Sequence, residues 1–200
     1  APLRERRGAV LRRRHRAVEA AAAFRESLRL RPDAARAYQH LAVTLERLGR
    51  YDDAVVAFRE ALRLRPTYLH AYVGLAATLR RLGRWAEEAE VYAGAQRLAP
   101  ENPDLYAGQG LALGALGDYA GATVAFRRAL VLRPTDADLH YELGVALGRR
   151  GRHAEAETAL RTAVELRSDL VKARANLALC LGRQGKHVEA EASYRPALTL

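Results

Sequence analysis

Residues 35–66 read ARAYQHLAVTLERLGRYDDAVVAFREALRLRP, and this stretch decides the fold. Leu41, Ala42 and Leu45 share one side of a 3.6-residue helical period. Ala54, Phe58 and Ala61 do the same further on. Gly49 lies between the two patterns, after a Leu/Arg-rich turn, where glycine takes the left-handed conformation that ends a helix. Pro66 closes the stretch, because proline cannot continue a helix. Two helices joined at a glycine are expected.

The pattern returns along the chain. Pro32, Pro66, Pro100 and Pro134 stand 34 residues apart, and Ser168 holds the fifth place. Without a gap the chain falls into units 1–34, 35–68, 69–102, 103–136, 137–170 and an incomplete 171–200. One column is always small: Gly8, Ala42, Ala76, Gly110, Gly144, Ala178. Leu follows three residues later in every unit, at Leu11, Leu45, Leu79, Leu113, Leu147 and Leu181. Gly49, Gly83, Gly117, Gly151 and Gly185 mark the turns. A ring column comes next: Tyr51, Trp85, Tyr119, His153, His187. A second ring column holds Phe24, Phe58, Tyr92, Phe126 and Tyr194, with Leu160 as the exception. Small columns let paired helices approach closely, and the rings are expected to fill the space between successive hairpins.

These columns closely resemble the tetratricopeptide repeat (TPR) family over essentially the whole chain. The resemblance implies an all-α fold, a right-handed α-solenoid of antiparallel helix hairpins with a concave groove, in one array over 1–200. Unit one departs from the pattern: Arg4 and Arg7 replace large apolar residues and His15 replaces the turn glycine. It is expected to be a degenerate hairpin, either a polar terminal cap or a fraying end. Glu88 breaks a small column, with Ala89 beside it. Pro196 inside the last helix removes a backbone donor and is expected to bend or fray it. The chain has no Met, begins at Ala1 and stops inside a repeat, so a fragment or processed chain is expected.

Half of the residues are apolar and 6% aromatic, which suits small-residue helix packing. No run of about 18 apolar residues exists to span a membrane, and the first residues lack the apolar middle of a signal peptide. No feature assigns a compartment; the cytoplasm is the default expectation. The net charge is +10, and only Lys172 and Lys186 among 33 basic residues are lysines. Two readings stand: a coding bias toward arginine, or attraction to an acidic or nucleic-acid partner. Cys180, the single cysteine, lies in a column of small residues and reads as a buried small hydrophobe.

No catalytic grouping, phosphate loop or metal-spaced cluster is present in the sequence, so neither an enzyme nor a cofactor is expected. His140, His153 and His187 replace larger residues in packing columns. His40 and His70 are expected as neighbours on the concave wall, without enough further ligands for a metal.

In the TPR family the groove is lined mainly by the first helix of each hairpin. Carried onto this chain, that gives an apolar stripe of Val43, Ala77, Leu111, Val145 and Leu179, flanked by Gln39, Val73, Ala107, Tyr141 and Ala175. A basic stripe holds Arg13, Arg47, Arg81, Arg149 and Arg183, with Ala115 as a gap and Arg12 and Arg80 as reinforcement. A mixed stripe at the helix starts holds Arg36, His70, Asp104, Asp138 and Lys172. Arginine before the turn glycine has two readings, contact with a partner's carboxylates or complement to the helix dipole. Some family members clamp the carboxyl end of a chaperone tail with Lys and Asn. Of Ala107, Leu111, Glu142, Lys172 and Asn176 only the last two match, so that clamp is not carried over. Nor is the Asn ladder of another subfamily, whose column reads Arg6, His40, Gly74, Gly108, Glu142, Asn176.

The function expected is a non-catalytic scaffold. A protein or peptide with apolar anchors and acidic flanks would lie in the groove. Three alternatives stand beside it: a regulatory or substrate-recruiting part of a larger enzyme such as a glycosyl- or sulfotransferase, a basic nucleic-acid-binding module, and self-association through the final hairpin.

Overall fold

The computed structural model describes the backbone of residues 2–194 and the side chains of residues 16–193. All secondary structure among them is helical. The chain divides into two compact units, Ala1–Leu98 and Ala99–Leu200. The first holds α1 (Pro2–Leu30), α2 (Ala35–Arg47), α3 (Tyr51–Leu64), α4 (Leu69–Arg81) and α5 (Trp85–Leu98). The second holds α6 (Pro103–Leu116), α7 (Tyr119–Leu132), α8 (Ala137–Arg149), α9 (His153–Leu166), α10 (Val171–Arg183) and α11 (His187–Tyr194). Within each unit every helix packs on the next. The first helices of successive hairpins also touch: α2 on α4, α6 on α8, and α8 on α10.

The glycine turns follow one geometry. Gly49, Gly83, Gly117, Gly151 and Gly185 all take positive φ, between 69° and 88°. The amide after each glycine reaches back to the recurring leucine carbonyl, as in Arg50 N–H to Leu45 O at 2.9 Å. The same bond joins Arg84 to Leu79, Asp118 to Leu113, Arg152 to Leu147 and Lys186 to Leu181. It satisfies a carbonyl that the helix end would leave unpaired.

The first 34 residues correct the expectation of a hairpin. They hold one continuous helix, α1, running through His15 where the other units have glycine. Without a residue suited to the left-handed region, a run of good helix formers continues. The side chains of Arg4, Arg7, Gly8, Leu11, Arg12, Arg13 and His15 lie outside the described residues, as do Pro196 and the bend expected at it.

The hairpins close on a small-against-large contact. A Cβ added to Gly110 would sit 2.6 Å from the Phe126 ring, and one on Gly144 would sit 2.6 Å from Leu160. Ala42 and Phe58 hold the same places in α2 and α3, both fully buried. Leu41, Leu45, Leu75 and Leu79 complete the core of the first unit. Leu139, Leu143, Leu147, Leu177 and Leu181 do so in the second. The fourth residue of α6, α8 and α10 ties each helix to the turn before it. Tyr106 Oη, His140 Nε2 and Arg174 Nη2 each donate to the carbonyl six residues back, that of Pro100 (3.0 Å), Pro134 (2.8 Å) and Ser168 (2.9 Å). His140 is thus a structural histidine.

Phe58→Ala should lower the unfolding free energy by about 3–5 kcal/mol, because it removes a fully buried ring. Urea denaturation followed by circular dichroism measures this. A loss under about 1 kcal/mol would contradict the packing described.

Candidate functional site

One pocket recurs at the junctions between hairpins. In the first unit it is lined by Val43, Glu46, Arg47, Tyr51 and Arg81 and encloses about 290 Å³. Between α6, α7 and α8 it encloses about 240 Å³, with Leu111, Ala115, Tyr119, Phe126, Glu142 and Arg149 among its lining. Between α8, α9 and α10 it encloses about 620 Å³, with Val145, Arg149, His153, Leu160, Asn176 and Arg183 in the corresponding places. The second set is the first displaced by two repeats and the third is the second displaced by one, so the same backbone frame builds all three.

The sequence-derived groove residues divide on this geometry. Val43, Arg47 and Arg81 come together in the first unit. Leu111, Val145 and Arg149 meet in the second unit, and Tyr141, Val145, Arg149, Leu179 and Arg183 meet one repeat on. Ala77 is exposed and Ala107 half-buried, and neither lines these pockets. Val73 in the first unit, and Leu111 and Leu179 in the second, remain 46%, 41% and 59% exposed, so apolar side chains face solvent on first helices of each unit. Arg36 is exposed. Gln39 is half-buried and accepts from Tyr68 Oη at 3.1 Å.

The arginines sort by partner. Arg59 pairs with Glu87, Arg127 with Glu155 (2.8 Å) and Arg161 with Glu189 (2.7 Å), each tying one second helix to the next. Arg133 holds Asp104 at 3.0 Å and Arg167 holds Asp138, so the acids of the mixed stripe are already engaged. Arg80, expected to reinforce the basic stripe, instead holds the fully buried Glu88 at 2.6 Å. Burial drives the Glu88 carboxyl above its ordinary range, although Arg80 opposes this. By contrast, Arg47, Arg149 and Arg183 have no carboxylate, carbonyl or ring partner among the described residues. Arg81 has only the Tyr51 ring, 5.8 Å from its guanidinium carbon. These side chains make no bond to the helix-end carbonyls, which the turn amides already occupy.

His40 and His70 have separate neighbours. His40 stacks on Phe24 with 5.7 Å between centroids, and His70 meets the edge of Tyr68 at 6.2 Å. Among the described residues no three His, Cys, Asp or Glu side chains gather as metal ligands. No described helix is long and apolar enough to cross a membrane. Cys180 is buried beside the larger pocket, and burial, then the charge of Glu157, raises its thiol pKa.

Some lining residues, Glu142 and Asn176 among them, are not among the expected groove residues, whereas Tyr141 is. Glu142, which burial pushes upward, stands on the pocket wall in the second unit, where Asn176 stands one repeat later. Tyr141 lies beneath the Lys172 ammonium, 4.3 Å from its ring centroid. Of the turn-column residues, expected to fill space between hairpins, Tyr51, Tyr119 and His153 stand on pocket walls. Displacing one lining set by the repeat length would have found them. Glu157 was missed too: it is 4% exposed in a column that also holds Ala21, Val55, Ala89, Thr123 and Glu191. It accepts from Gln184 Nε2 at 2.7 Å, Lys186 Nζ at 2.9 Å, and Arg161.

The fold and its repeating pockets define a helical-hairpin repeat protein. The chain belongs to the tetratricopeptide repeat family, whose models match residues 41–103 and 146–200, 110–151, and 1–67. No curated protein matches it. Among solved structures it is similar to a MamA protein, with a TM-score of 0.78 and 22% identity over 82% of this chain and 90% of that one. It is also similar to YrrB, described as a TPR protein with an unusual peptide-binding site, at a TM-score of 0.76 and 22% identity over 90% and 92%. A MamA fragment from Desulfovibrio magneticus RS-1 has a TM-score of 0.76 at 20% identity over 83% and 94%.

Glu157 supplies a pH test. Burial opposes its ionisation, but bonds from Lys186 and Gln184 and the charge of Arg161 prevail and lower its pKa. Its contribution to stability is therefore present above the unfolded glutamate value of about 4.3 and is lost as pH falls through the lower folded value. The melting temperature of Glu157→Gln should fall less than the parent's between about pH 5 and pH 3. An equal fall in both would show that Glu157 is not a source of acid sensitivity.

Proposed function

We propose that this chain is a non-catalytic protein-interaction scaffold whose first helices receive a partner segment, extended or helical, with apolar anchors and acidic flanks. The observation carrying this reading is the set of arginines left without partners beside an exposed apolar row. Most carboxylates near the junctions are engaged elsewhere, while Arg47, Arg149 and Arg183 are not. The similarity to YrrB, described as having a peptide-binding site, supports the same reading.

Magnitudes assign the roles. Fully burying a Val or Leu side chain contributes about 1.5–3 kcal/mol, so covering Val73, Leu111 and Leu179 supplies most of the affinity. An exposed ion pair contributes about 0.2–1 kcal/mol, so the arginines chiefly steer and orient the partner.

Affinity capture from the source cell, followed by partner identification, is the direct test. For the captured partner, Arg47→Glu with Arg81→Glu should weaken binding by about tenfold and flatten its dependence on salt. Unchanged affinity and unchanged salt dependence would remove the arginines from the interface.

A further inference from the structure

We propose that the exposed rim where α8 meets α10 is a subsite for a phosphoryl group carried on a serine or threonine of the partner segment. The proposal rests on the groove reading above and names the anion that one junction takes.

Arg149 and Arg183 hold the same place in the last turns of α8 and α10, one repeat apart, on first helices that touch. Both side chains are exposed, and both stand on the wall of one pocket. Neither has a partner among the described residues. Two like charges side by side repel, and an anion between them removes the repulsion. The acids nearby are already taken. Glu155 pairs with Arg127 and Arg152, Glu157 with Arg161 and Lys186, and Asp138 with Arg167 and Lys172.

The other two junctions differ. Between α6 and α8 the wall holds one arginine, because Ala115 stands where the next repeat has Arg149, and it carries Glu142. In the first unit Arg47 and Arg81 share their wall with Glu46, and Arg81 lies on the Tyr51 ring. No Asp or Glu lines the pocket between α8 and α10. Asn176, a neutral amide, stands there in the place of Glu142. Leu179, more than half exposed on the same rim, gives the segment bearing the group an apolar contact.

Charge and shape favour a phosphoryl group over a carboxylate. One guanidinium fork satisfies both oxygens of a carboxylate. A phosphorylated side chain offers three acceptor oxygens and roughly two negative charges at neutral pH, enough for two forks. A nucleic acid is a poorer match. Its phosphates follow one another along a strand, whereas Ala115 interrupts the arginine column one repeat back and Glu142 sets a negative charge on that wall.

The test uses the full chain and fluorescence anisotropy with end-capped nine-residue peptides. Leu flanks a central phosphoserine, Glu or Ser, and nothing else differs. The phosphoserine peptide should bind about tenfold more tightly than the Glu or Ser peptide. Arg149→Gln with Arg183→Gln should abolish that preference without lowering the melting temperature, since neither side chain bonds anything in the free protein. Asn176→Glu should weaken the phosphoserine peptide and spare the Ser peptide. Arg47→Gln with Arg81→Gln should leave the preference intact. Equal binding of the phosphoserine and Glu peptides, or a preference that survives loss of Arg149 and Arg183, overturns the subsite. Arginine-dependent binding of both peptides alike would still leave the groove reading standing. If no peptide binds in an arginine-dependent way, the groove reading falls and takes the subsite with it. Binding of a labelled single-stranded oligonucleotide in place of the peptides would also overturn the proposal.

Discussion

The contact between a small residue on one helix and a large one on its hairpin partner governs this molecule. Gly110 against Phe126 and Gly144 against Leu160 are versions of one contact, and Ala42 and Phe58 hold the same places in the first unit, both fully buried. This contact sets how closely two helices lie. A shorter large residue is met by closer approach: the Cβ position on Gly144 lies 2.6 Å from Leu160 Cγ, whereas that on Gly110 lies 2.6 Å from the more distal Phe126 Cε1.

Charge is distributed by a similar logic. The second helices and the turns carry Arg–Glu pairs that recur with the repeat, such as Arg127 with Glu155 and Arg161 with Glu189. Each is half exposed and contributes little alone. Their joint effect is to hold register between neighbouring hairpins and to occupy the acidic side chains. The arginines before the turn glycines are left over. Their carbonyls are capped by backbone amides, so capping gives those side chains no task. Two buried acids depart from this scheme, and each brings its own cation: Arg80 for Glu88, and Lys186 with Arg161 for Glu157. A buried carboxylate without such a partner would carry a heavy desolvation cost.

The sequence by itself determined the helices, the turns and the repeat length, because each depends on local chemistry. Gly49 and its counterparts can enter the left-handed region, Pro66 cannot continue a helix, and Leu45 recurs on one face. It also placed Val43, Arg47, Leu111, Arg149 and Leu179 on first helices, since a fixed period assigns faces. Tertiary structure alone decided what those faces meet. The single helix through His15 depended on continuing a helix that no glycine interrupts. The engagement of Arg80 by Glu88 and the coupling of Glu157 to the next turn depend on side chains from separate elements meeting in space. Period and composition do not encode that meeting, because the distance between helices is set by the bulk of both partners together.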